Sequence, residues 1–109
     1  MRKTYIGELE EIVLLIAVML QEEAYGVAIT HEIDRQLNRK ISVSAVHATL
    51  HRLVEKGFLE SFMGGATTER GGRRKRFFKI TKAGSKILQD IQDSRALLWN
   101  QLPPNALPI

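Results

Sequence analysis

Residues 42–63 read "SVSAVHATLHRLVEKGFLESFM", and a change of period inside this stretch decides the fold. At 100° per residue, Val43, Val46, Leu50 and Leu53 fall on one side of a helix. Ser44, His47, Ala48, His51, Arg52 and Glu55 fall on the other. Ser42 is a good N-cap and Gly57 a good stop, because a hydroxyl can accept from the first turn and glycine tolerates the left-handed backbone that ends a helix. "FLESFM" then has the composition of a strand. A helix that stops at a glycine and becomes a strand calls for a second strand to pair with.

That partner follows as "RKRFFKIT", residues 74–81, with Phe78 and Ile80 on one face and Phe77 and Lys79 on the other. "GGATTERGG", residues 64–72, joins the two with glycines at both ends and little apolar content. The pair reads as a hairpin whose tip carries Arg70, Arg73 and Arg74.

Upstream, "GELEEIVLLIAVMLQE" (residues 7–22) reads as a first helix with glutamates in its first turn, where the helix dipole favours them. "AYGVAITHEIDRQLN" (residues 24–38) reads as a second, with Val27, Ile29, Ile33 and Leu37 as its apolar stripe and His31, Asp34, Arg35 and Asn38 facing away. Downstream, Thr81 caps a last helix over residues 82–102 that Pro103 and Pro104 terminate. At 1.5 Å per residue this is a rod of roughly 30 Å.

The expected fold class is therefore mainly α with a small β-hairpin. Residues 1–81 form a winged helix-turn-helix domain, residues 82–102 a C-terminal dimerisation helix, and residues 103–109 a loosely ordered tail.

Composition bounds the function. The 109 residues contain no cysteine, which excludes disulfides, thiol catalysis and thiolate zinc sites. The longest apolar run, Ile12 to Leu20, is half of what a membrane span needs and lacks the flanks of a signal peptide. The expectation is a cytoplasmic protein with no membrane association, and this run as a helix buried on most sides. Net charge is +4, unevenly spread. Residues 1–34 carry two basic and seven acidic side chains, net −5; residues 35–86 carry thirteen basic and three acidic, net +10; the remainder is net −1. A basic centre between acidic ends suits a polyanion-binding surface, although a solvated basic face has the same composition.

Three constellations carry chemistry. Ser42 opens the third helix, and its polar face holds short Ser44 and Ala48 beside the donors His47, His51 and Arg52, which suits close approach to DNA or simply a wet face. His47, His51 and Glu55 also share an i, i+4, i+8 row that could chelate a metal, but "HATLH" lacks the glutamate of zinc proteases; no metal and no cofactor are expected. In the second constellation, Arg70, Arg73, Arg74, Lys75 and Arg76 lie within seven residues and would give salt-sensitive phosphate affinity. Such a run could equally meet RNA or acidic lipid, but its direct attachment to a strand favours a docking finger. The third is the last helix, where Ile87, Ile91, Leu98, Trp99 and Leu102 form an uncovered stripe, as expected of a homodimer. Trp99 is either dimer core or the wall of a pocket for a planar apolar effector. Nucleotide-binding and nucleophile motifs are missing, so no enzyme activity is expected.

"AYGVAI", "ISVSAVHATLHRLVEKGFLES" and "GGRRKRFFKITKAG" together resemble the PadR family of transcriptional regulators over about residues 7–90. The resemblance implies a homodimeric repressor on a palindromic operator, joined through the C-terminal helix with help from the first helix. The single C-terminal helix is similar to the short subfamily. The family commonly has glycine, tyrosine and often proline where this chain has Ser44, His47 and Ala48, and the tyrosine typically contacts DNA. Some multidrug-sensing members sandwich planar drugs with a tryptophan about one turn before the position of Trp99. The other functional class open to the sequence is a winged-helix module whose basic face binds an acidic protein.

Overall fold

The computed structural model describes residues 5–64 and 75–108. Helix α1 spans Glu8–Leu20, α2 Gly26–Leu37, α3 Val43–Glu55 and α4 Lys82–Trp99. Strands β1, Leu59–Met63, and β2, Arg76–Ile80, pair antiparallel with Leu59 opposite Ile80 and Met63 opposite Arg76. The expected order of three helices, a hairpin and a long last helix is present.

Each boundary has a local cause. Glu10, in the first turn of α1, reaches back to accept from the Gly7 N–H at 2.8 Å. The expected first helix overran, because α1 ends at Leu20 and a single 3-10 turn, Gln21–Glu23, follows. Gln21 turns the chain with φ 54° and ψ −118°. Helix α2 ends on Asn38, whose left-handed φ of 52° suits asparagine. Ser42 Oγ accepts from Ala45 N at 3.1 Å. At the other end of α3, Gly57 takes φ 82°, Gly57 N donates to Val54 O and Phe58 N to Leu53 O, closing a Schellman motif. Thr81 Oγ1 caps α4 by accepting from Gly84 N at 3.0 Å.

The core forms where α1, α2 and α3 meet the hairpin. Leu14, Ile29, Ile33, Leu50 and Leu53 are fully buried there, with Phe58, Leu59 and Phe78 closing one end. Three expectations are corrected. Val27 and Leu37 are exposed (45% and 49%), and Thr30, whose hydroxyl donates to Gly26 O, takes their place beside Ile29 and Ile33. Gly26, Ile29, Thr30 and Ile33 turn inward at spacings of three and four, while Val27 lies only two residues from Ile29 and Leu37 ends the helix in solvent. Val43 lies at the solvent end of α3, and buried Thr49 completes that face instead. The apolar run of α1 leaves Leu15 and Met19 open to solvent.

Helix α4 leaves this body. Gly84 packs on the Phe58 carbonyl, and a Cβ there would collide with that oxygen and meet Ile80 Cγ1 at 2.8 Å. Ile87 and Leu88 lie against the core, but Leu97, Leu98 and Trp99 are more than 60% exposed. The helix stops at Trp99, three residues short of the expected end, and residues 100–102 continue in turns. Residues 103–108 are exposed, and Ala106 N donates to Pro103 O at 3.2 Å. The radius of gyration, 16.6 Å, exceeds the roughly 13 Å of a compact chain of this length because α4 projects. No described helix is long and apolar enough to cross a membrane.

Candidate nucleic-acid interface

The amphipathic pattern of α3 puts its polar residues on the outside of the body. Ser42, Ser44, His47, Ala48 and His51 are all exposed along that face. Arg52 is also exposed, but its guanidinium leans back toward α1. It donates to Thr49 Oγ1 at 3.2 Å and lies 3.8 Å from Glu10 Oε2.

His47 does not hang free. Its ring rests on Gly26 at the start of α2, and a Cβ at Gly26 would collide with the ring's Nε2 and lie 2.8 Å from Cε1. The Nε2 edge of His47 is thereby turned to α2, while His51 Nε2 faces Glu55 Oε2 at 3.7 Å. The His47, His51, Glu55 row is not gathered, and no three metal-ligating side chains cluster among the described residues.

Residue 25 connects the same place to the hairpin. Tyr25 bridges Phe77 as an isolated antiparallel pair, and Phe78 N donates to Ala24 O at 2.9 Å. The Tyr25 and Phe77 rings meet edge to face, 5.5 Å apart at 73°. Phe77 stacks on Phe62 at 5.9 Å. Lys75 Nζ sits 4.1 Å above the Tyr25 ring, within cation–π range. Gly64 N donates to Lys75 O at 2.7 Å, and the Phe77 ring covers the bare Cα of Gly64. Arg76 crosses to Ser61 Oγ at 3.0 Å. Lys75 and Arg76 therefore stand exposed at the loop end of the paired strands, each held by a neighbour. Arg70, Arg73 and Arg74 lie outside the described residues.

Alternation alone leaves Tyr25 and Gly26 inside a helix. Their role becomes visible only through contacts across the chain, and the one sequence signal is an aromatic beside a glycine ahead of an apolar period.

Behind α3, Glu10 is a buried carboxylate. Burial pushes its carboxyl up, but hydrogen bonds from Lys56 and the Gly7 N–H and the nearby charges of Lys56 and Arg52 outweigh this and hold it below its usual 4.5. Lys56 Nζ reaches both carboxylate oxygens, at 2.8 and 3.1 Å. Lys56 also borders an open groove of about 640 Å³ between α1 and α4, floored by Ile6, Phe58, Ile87, Ile91 and Leu98. Three of the five residues expected in a dimer stripe thus share one groove. Trp99 and Leu102 lie beyond it, 63% and 43% exposed.

The model of the "Transcriptional regulator PadR-like family" matches residues 15–90. An uncharacterized protein X of Lysinibacillus sphaericus is 29% identical over 87 residues, covering 78% of this chain and 75% of its own. A PadR family transcription regulator from Clostridium difficile superposes with a TM-score of 0.67 at 17% identity, over 86% of this chain and 93% of its own. A PadR-like transcription factor from Bacteroides fragilis gives 0.69 at 22% identity, over 84% of each chain. A PadR-like transcriptional regulator from Bacillus cereus gives 0.67 at 20% identity, also over 84% of each. At these identities the structures speak for the fold, and the family model speaks for descent over most of the chain. With its three helices, hairpin and projecting last helix, the chain belongs to the PadR-like family of transcriptional regulators.

Proposed function

We propose that the chain is a dimeric DNA-binding repressor that recognises a palindromic operator. The observation that carries this is the open polar face of α3 together with a hairpin whose loop-side strand ends present Lys75 and Arg76. In this reading α3 enters the major groove, with Ser44, His47 and His51 toward base edges and Ser42 and Arg52 toward phosphates. The hairpin acts as a wing, and Lys75 and Arg76 together with Arg70, Arg73 and Arg74 grip the backbone or the minor groove.

Residues 1–81 form the DNA-binding head and residues 82–102 the dimerisation element. The exposed end of α4 and the apolar groove beside it support pairing through Ile87, Ile91, Leu98, Trp99 and Leu102. Two heads would then meet two half-sites about one helical turn apart. A planar apolar effector at Trp99 would act by changing the spacing of the heads. The protein works in the cytoplasm and carries out no catalytic step.

Selection from a random-sequence DNA pool tests the proposal. The expected result is one enriched palindrome, bound with a steep loss of affinity as salt rises. Lys75→Ala should flatten the slope of log K against log salt by about one. Weak, salt-labile binding with no enriched sequence would sink the operator claim and favour an acidic protein as partner.

A further inference from the structure

We propose that Tyr25 and Gly26 are positioning residues for DNA binding, a joint that holds the hairpin and α3 at one mutual angle. This rests on α3 and the hairpin being the DNA-contacting elements. Two adjacent residues touch the two elements separately. Tyr25 holds the loop-side end of the hairpin strands by its bridge to Phe77, its edge-to-face ring contact and the Lys75 ammonium above it. Gly26 holds α3, because only a residue without a side chain leaves room for the His47 ring. The main chain between them is fixed as well, since Ala24 O accepts from Phe78 N and Tyr25 O accepts from Ile29 N, both at 2.9 Å.

The chemistry of each contact suits orientation more than stability. Tyr25 is only half-buried and His47 is exposed, so neither contributes much core. An edge-to-face pair prefers a narrow range of geometries. A cation above a ring also places the ammonium, and with it the charge a phosphate would meet. Freed of these contacts, the loop-side end of the hairpin would sample a range of angles and lose freedom on binding DNA.

Salt dependence separates this role from direct contact. Positioning costs ordering before binding but leaves the same phosphates neutralised afterwards. Tyr25→Leu should therefore bind the selected operator about tenfold more weakly, with the salt slope of the wild type. Tyr25→Phe keeps the ring and should restore wild-type affinity. Gly26→Ala has no backbone penalty, since Gly26 does not adopt positive φ, but displaces His47. It should reduce the preference for operator over scrambled DNA while leaving affinity for scrambled DNA unchanged.

A second readout needs no DNA. The chain has no cysteine, so spin labels at Met63→Cys and Glu55→Cys report the distance between hairpin and α3 alone. Labelled protein is diluted with unlabelled protein so that only distances within one protomer count. The distance distribution should be narrow in the Tyr25 background and broaden in Tyr25→Leu. An unchanged distribution overturns the joint, as does wild-type operator affinity in Tyr25→Leu. A lowered salt slope in that variant, or weak binding by Tyr25→Phe, makes Tyr25 a direct contact instead. If the unaltered chain selects no operator but the distribution broadens, the DNA reading fails and the joint stands.

Discussion

Removing Lys56 should cost more than removing its partner Glu10, although the two form one ion pair. The reason is the difference in burial. The Glu10 side chain is 10% exposed and that of Lys56 is 30% exposed. In Glu10→Gln the amide oxygen still accepts from the Gly7 N–H, and Lys56 can turn outward to water. What is lost is the charge-assisted part of the Lys56 bonds, offset by relief from desolvating a carboxylate, a net of about 1 kcal/mol. Lys56→Met instead leaves a buried carboxylate with one backbone donor and Arg52 at 3.8 Å. Breaking fully buried pairs costs about 3–5 kcal/mol; with Lys56 partly open, about 2–3 kcal/mol is expected here.

Urea unfolding at fixed protein concentration and ionic strength measures both variants. The pH dependence supplies a second check. Glu10 in the folded protein titrates below its usual 4.5, so its pairing stabilises the fold above that pH and is lost as pH falls through the folded value. In Lys56→Met burial remains while the Lys56 bonds and charge that hold the carboxyl low are gone, so protonating Glu10 should cost that variant less than the wild type. The gap between wild type and Lys56→Met should therefore narrow from pH 7 to pH 3.5. A gap that stays constant, or a Glu10→Gln variant less stable than Lys56→Met, would refute the burial asymmetry.

Other substitutions probe separate elements. Gly84→Ala drives a methyl into the Phe58 carbonyl, which cannot swing aside, so a loss of about 1–3 kcal/mol in thermal unfolding is expected. Ser42→Ala removes the α3 cap and should cost about 1 kcal/mol in the same measurement, without changing the salt slope of DNA binding. His47→Ala should alter preference at one or two base pairs in a selection experiment; a uniform loss across sequences would make it a phosphate contact. Titrating planar apolar compounds should quench Trp99 fluorescence if its exposed ring walls an effector site, and an unchanged signal over a broad panel would leave it as interface alone.

Helices, hairpin and their order were legible because they depend on near neighbours in sequence. The Ser42 cap, the Gly57 stop and the Thr81 cap are local hydrogen-bonding chemistry, and each lies where composition places it. Misplaced features depend on distant partners. Thr30 and Thr49 count as polar, yet both are buried because their hydroxyls donate to the carbonyl four residues back. Glu10 counts as a surface glutamate of a first turn until Lys56, 46 residues away, is seen to cover it. The outward face of α3 was legible from its period. That His47 lies on Gly26 and Lys75 on Tyr25 was not, because no periodicity brings residues 25 and 26 to two different elements.

The seat of α4 on Gly84 has a mechanical consequence. Fifteen residues separate Gly84 from Trp99, a lever of about 22 Å. A tilt of about 10° at the seat swings the Trp99 end by roughly 4 Å, more than half the rise of a helical turn. Run in reverse, the same gearing turns a coarse displacement at the far end into a fine rotation of the body. With no slack at Gly84, where a single methyl does not fit, such a rotation would pass to the whole body rather than dissipate at its base.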